Sequence, residues 1–197
     1  MRKNYIFLAI LGSVWGIVEL QLGTLLHSTT LPFVGLVMMA LGIFFQTTAR
    51  YVTRMRGSAL LVAVVVSFLK LLFIGGIAFS TVFAIFVQSG ILEFIYAKRE
   101  PSRLRMSFAG AVSVSYALVH PFFSMPVFMG LTVFDAYDRI TRAGSLLFAL
   151  PNESGLIILA LLLFVPLSMG FAAGILTFNA MKRMRRLGFI RLSGRNE

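Results

Sequence analysis

Apolar residues run along this chain in six long blocks, near 5–26, 31–49, 57–74, 77–97, 106–130 and 154–180, each closed by a polar or glycine-containing break. Helices rise about 1.5 Å per residue, so blocks of this length can cross the roughly 30 Å hydrocarbon core of a bilayer. The pattern predicts an all-α, polytopic membrane protein with six transmembrane helices. Arg2 and Lys3 precede the first block as they would in a secretion signal. That block is too long for one and carries no small-residue cleavage site, so it is expected to remain as a helix. The interval from Leu131 to Glu153 has a different pattern: Val133, Tyr137, Ile140 and Leu147 recur at helical spacing, with Asp135, Asp138, Arg139 and Arg142 between them. Such a segment suits a helix on the membrane surface or a lid folded over the protein.

Charge adds an orientation. Arg2, Lys3, Arg50, Arg54, Arg56, Lys98, Arg99, Arg103, Arg105, Lys182, Arg183, Arg185, Arg186, Arg191 and Arg195 all fall on one side if the six helices alternate. Only Arg139 and Arg142 fall on the other, and the positive-inside rule then predicts that both termini are cytoplasmic and that the chain sits in the cytoplasmic membrane. The expected organisation is a single six-helix transmembrane domain, 1–181, followed by a basic cytoplasmic tail, 182–197.

Composition narrows the function. With 197 residues, 58% of them apolar and 13% charged, no room is left for a soluble catalytic or nucleic-acid-binding domain. The net charge of +11 is accounted for by cytoplasmic loops facing anionic headgroups, so the lipid bilayer and not a nucleic acid is the expected partner. The absence of cysteine excludes disulfides, thiolate metal sites and cysteine nucleophiles. No phosphate-binding Gly-x-x-x-x-Gly-Lys-Ser/Thr loop, His-Glu-x-x-His zinc helix or Gly-x-Ser-x-Gly elbow is present. The chain is thus expected not to be an enzyme, to hold no metal or cofactor, and to depend on other subunits for any use of ATP.

Ionisable side chains inside apolar blocks are the candidate chemistry, since each costs about 2.5 to 3.5 kcal/mol at mid-helix unless it faces protein or water. Glu19, Lys70 and His120 lie thirteen or fourteen residues from the cytoplasmic starts of their blocks, which places all three at one level, about 20 Å up. An acid, a base and an imidazole at one depth can line a site for a small polar or zwitterionic solute, Glu19 taking a cationic part and Lys70 an anionic one. The same residues can instead form a buried ion pair and a satisfied histidine that only fix packing. Trp15, one turn from Glu19, offers an aromatic wall or a core side chain. His120-Pro121 and Pro126 interrupt helical hydrogen bonding, which is tolerated at membrane depth where the backbone lines a cavity. Gln21 and Gln88 also lie within the blocks; Glu93, near a cytoplasmic end, is expected to pair with Arg99, Arg103 or another loop cation.

Small residues mark close helix approach. Gly170 and Gly174 are spaced by four, and the first block carries Ala9 and Ser13 on one face with Gly12, Gly16, Glu19 and Gly23 as an adjacent stripe. Six helices in under 200 residues, cytoplasmic termini, the sequence Ala9-Ile-Leu-Gly-Ser13, the turn Leu31-Pro32-Phe33-Val34-Gly35 and polar groups gathered toward the outside together resemble the S component of an energy-coupling factor transporter. The resemblance implies a subunit that captures a vitamin or other micronutrient from outside and docks on a transmembrane T component driven by two ATPases. It also implies that Ala9 and Ser13 contact the T component, with Ser13 standing where the family motif has its second alanine. The link between the first two helices is short, so the 131–153 segment would serve as lid. The Met-His start of nickel and cobalt members is absent, which points away from a metal substrate. Two other functions fit the same residues: an intramembrane enzyme using Glu19 and His120, and a membrane assembly or regulatory protein without transport activity.

Overall fold

The computed structural model describes residues 2–28, 34–75, 79–97, 100–151 and 154–189. Seven helices follow in order: α1 Arg2–Ser28, α2 Val34–Thr53, α3 Ser58–Ile74, α4 Phe79–Tyr96, α5 Arg103–Met129, α6 Val133–Phe148 and α7 Gly155–Arg186, with no strand among the described residues. Of these, α1, α2, α4, α5 and α7 are long and apolar enough to cross a membrane; α3 is apolar and one residue short of that length criterion, at 17 residues. The chain is a multi-pass helical membrane protein. Large apolar side chains such as Phe68, Phe94 and Phe164 point outward on several helices, as a lipid-facing surface requires. Most of the Leu31–Gly35 turn and the end of the basic tail, from Ile190 on, lie outside the described residues. The first part of that tail is helical, because α7 continues through Lys182 to Arg186.

Helix α2 is the hub, packed against α1, α3, α4, α5 and α7. Being covered on most sides, it buries polar residues in its second half, including Gln46, Thr47, Thr53 and Arg50. Thr47 and Thr53 satisfy their hydroxyls on the carbonyls of Ile43 and Ala49, one turn back. The most extensive interface joins α5 and α7. Here the Gly170–Gly174 spacing does what the sequence predicts: a methyl group on Gly110 or Gly170 would overlap the carbonyl oxygen of the other, and one on Gly174 would overlap that of Met106. Gly12 and Gly16 give α1 the same closeness to Val65 and Leu69 of α3.

The helix ends that carry most cations meet at one end of the bundle, called here the basic end. Arg50 of α2 lies 3.6 Å from Glu93 of α4 and donates a 2.7 Å hydrogen bond to the carbonyl of Ala97; Glu93 in turn accepts from the amide of Ala59 at 2.9 Å. Glu93 therefore finds a cation from a loop-flanking turn, as expected, and it is Arg50. Arg54 pairs with Glu100 across the same end.

Helix α6 closes the opposite end against α5 and α7. Thr132 and Asp135 form a reciprocal capping box that starts it, and Ala149, in the left-handed region at φ 53°, ends it. Its inward stripe is Ala136, Ile140, Thr141 and Gly144, whereas Val133, Tyr137 and Leu147 of the expected stripe are exposed to a third or more. Small residues took the inward positions because α7 comes so close: a methyl on Gly144 would overlap Ile158. Asp135, Asp138, Arg139 and Arg142 face outward.

Candidate functional site

In the half of the bundle away from the basic end, a cavity of about 540 Å³ opens between α1, α2, α3, α4 and α5. Trp15, Glu19, Lys70 and His120 all line it. The common depth read from the sequence thus becomes actual proximity, because α1 packs on α3 and α3 and α5 both pack on α4. A volume of this size lies within the usual range for small-molecule sites.

Lys70 Nζ lies 2.8 Å from Glu19 Oε1, and both side chains are almost fully buried. The acid and the base therefore take each other, which removes the arrangement in which each separately awaits one charge of a zwitterion. The pair leaves a remainder: Glu19 Oε2 is buried without a hydrogen-bond partner, and so is the indole Nε1 of Trp15 one turn away. A buried polar atom without a partner costs about 1 to 3 kcal/mol, so both residues carry an unmet hydrogen-bonding demand just behind the cavity surface. Trp15 presents little ring face for stacking, since Phe45 already lies parallel to it at 6.0 Å between centroids, with 8° between planes.

His120 is held at the other side of the cavity. Its Nε2 is 3.0 Å from Ser80 Oγ and its Nδ1 is 3.3 Å from Tyr116 Oη, with the ring of Phe83 stacked at 6.3 Å. No bond joins His120 to Glu19 or Lys70 among those described. Pro121, the next residue, cannot supply the amide that the carbonyl of Ala117 would accept, and both residues line the cavity. Thr24, Ser80, Thr81 and Gln88 complete the polar lining. Gln88 is fixed by donating to the Met39 carbonyl at 2.8 Å, with Gln46 Nε2 3.4 Å from its side-chain oxygen. Gln88 was signalled by its place inside an apolar block. Ser80 and Thr81 were not, because hydroxyls at a helix start are ordinary.

The remaining sequence candidates lie elsewhere. Ala9 is exposed on the outer face of α1, beside Ile6 and Ile10, and Ser13 is half-buried; neither lines the cavity. Gln21 is exposed. No cluster of potential metal ligands occurs among the described residues. No family model matches the chain, and neither a curated protein nor a solved structure is significantly similar to it.

Proposed function

We propose that the chain captures a small polar solute for an ATP-driven uptake system of the energy-coupling factor kind. In this reading α1 to α5 and α7 are the six spans, both termini and the basic end are cytoplasmic, and the cavity serves the outer side of the cytoplasmic membrane. The observation that carries it is the convergence of Trp15, Glu19, Lys70 and His120 on one cavity. Ala9 and Ser13, on the face of α1 turned away from that cavity, are the contact for a transmembrane coupling subunit, and the energy comes from ATPase subunits that this chain lacks.

Mass spectrometry of small molecules that copurify with the detergent-solubilised protein tests this. A metabolite present in the wild type and absent from Glu19→Leu/Lys70→Met supports solute capture. Retention of that metabolite by Ala9→Leu/Ser13→Leu, with loss of uptake in cells, supports a coupling partner. A preparation with no bound metabolite, whose genes confer no uptake, removes the reading.

One observation favours an intramembrane enzyme instead. Ser80 Oγ within hydrogen-bond reach of His120 Nε2, with Tyr116 on the other ring nitrogen, is the spacing a serine nucleophile and its base use. Covalent labelling by a fluorophosphonate, lost in Ser80→Ala, would favour that function over capture.

A further inference from the structure

The main cavity has a neighbour on the far side of α5. A second, apolar crevice of about 130 Å³ lies between α2, α5, α6 and α7, and the two share Gly35, Ala117 and Pro121 in their walls. Leu36, Ile140 and Leu162 of the crevice are buried, whereas Gly35 and Leu147 on its wall are exposed, so it is a groove with a buried floor and an open side. Its origin is visible in the two helices that form it. Gly110 and Gly170 hold α5 and α7 in backbone contact; two and three turns outward on α5 stand Ala117 and Pro121, and one and two turns outward on α7 stand Pro166 and Leu162. Each proline lacks the amide that the residue four earlier would have used, so both helices carry a broken hydrogen bond at the crevice.

We infer that the solute is amphipathic, with an uncharged hydrogen-bonding head in the main cavity and a short apolar appendage in the crevice beside α6. This rests on the capture reading above and names the solute class. The head is uncharged because Glu19 and Lys70 already neutralise each other, and the hydroxyl residues Ser80 and Thr81 on the same wall can both donate to and accept from a group that carries both functions. A carboxamide is the simplest such group. The appendage is short because 130 Å³ holds about four groups of water or methylene size, at about 30 Å³ each. Ile140 and Leu147 of α6 are part of the crevice wall, so α6 senses the appendage and not the head.

Trp15 is the sole tryptophan of the chain and lines the main cavity, so its emission reports on binding there. The experiment titrates linear primary alkanamides, from acetamide to octanamide, into the purified full-length protein in detergent. Affinity should rise about fourfold per methylene until about four carbons lie beyond the carbonyl, then level off. Val165 of α7 and Leu118 of α5 line the crevice, so Val165→Phe, and independently Leu118→Phe, should flatten the series while acetamide still binds; two variants are used so that misfolding of one does not decide the matter. A flat series in the wild type with acetamide bound would overturn the crevice and leave solute capture standing. An equal rise in wild type and both variants would mean partition into detergent and would also overturn it. No emission change with any amide would overturn the uncharged head, whereas the capture reading would still be judged by the copurified metabolite.

Discussion

Two buried ion pairs, one in each half of the bundle, have opposite surroundings. Arg50 and Glu93 at the basic end also bond to backbone, to the Ala97 carbonyl and the Ala59 amide, so the pair fastens the end of α4 to the start of α3. Lys70 and Glu19 join α1 to α3 beside a cavity of about 540 Å³, and neither is described as bonding to the backbone of another helix. Burying two charges is costly, and a pair by itself often stabilises no more than apolar residues of equal volume would. The first pair is explained by what it ties together. The second does little tying, and it stands in the part of the molecule that encloses the cavity.

The sharpest way to break this comparison is to remove charges. Lys70→Met alone leaves a buried carboxylate unpaired and should cost about 3 to 5 kcal/mol, read as a fall in thermal denaturation temperature in detergent. Glu19→Leu/Lys70→Met should recover most of that loss, and solute binding should not return with it. Arg50→Met/Glu93→Leu should recover less, because the Ala59 amide and the Ala97 carbonyl then lose partners, at about 1 to 3 kcal/mol for each group left unsatisfied. Equal recovery by both double variants would make the two pairs alike; intact solute affinity in the Glu19/Lys70 double variant would make that pair a packing device.

The same contrast extends to backbone spacing, with a smaller effect. Gly110→Leu or Gly170→Leu must push α5 and α7 apart at a contact made by main-chain atoms, and should cost about 1 to 3 kcal/mol or more. Gly35→Ala, on the wall shared by the cavity and the crevice, meets no atom within 4 Å and should leave the denaturation temperature unchanged. Destabilisation by both would show that the cavity half is as tightly packed as the glycine crossing.

The level of the site could be read from the sequence, and its shape could not. Counting residues from the basic breaks placed Glu19, Lys70 and His120 at one depth because helical rise is constant, and all three line one cavity. Which helices are neighbours depends on side-chain packing between segments, and so the bond between Lys70 and Glu19 was one of two open arrangements. Helix edges were displaced where apolar thickness and helix length part company: α7 runs on through charged Lys182 and Arg183, and α2 extends past Ala49 because Arg50 is buried among neighbours. The crevice is lined by prolines from two different helices, Pro121 and Pro166, a coincidence that no single segment encodes. Ser80 and Thr81 likewise gain meaning only from what lies opposite.

The smallest expected effect concerns α6, the element that walls the crevice. Asp135 accepts hydrogen bonds from the hydroxyl of Thr132, at 2.6 Å, and from its amide, at 2.7 Å. These bonds, the side-chain one foremost, with Arg139 nearby, hold its carboxyl below the ordinary value of 3.8. A carboxyl whose folded pKa is depressed contributes stability that is fully present above the unfolded value and is lost as pH falls through the folded one. The cap of α6 should therefore hold across neutral and mildly acidic pH and loosen as pH falls below 3.8. Hydrogen exchange of the first-turn amides of α6 measures this: in the wild type protection should be flat from pH 7 to about 5, and Asp135→Asn should exchange faster at every pH in that range. Fluorescence titration with butanamide makes the connection to the crevice. If α6 is a rigid wall, its looser start in Asp135→Asn should weaken butanamide more than acetamide, whereas equal weakening of both would show that α6 acts on the main cavity and that the two halves of the solute site are not separate.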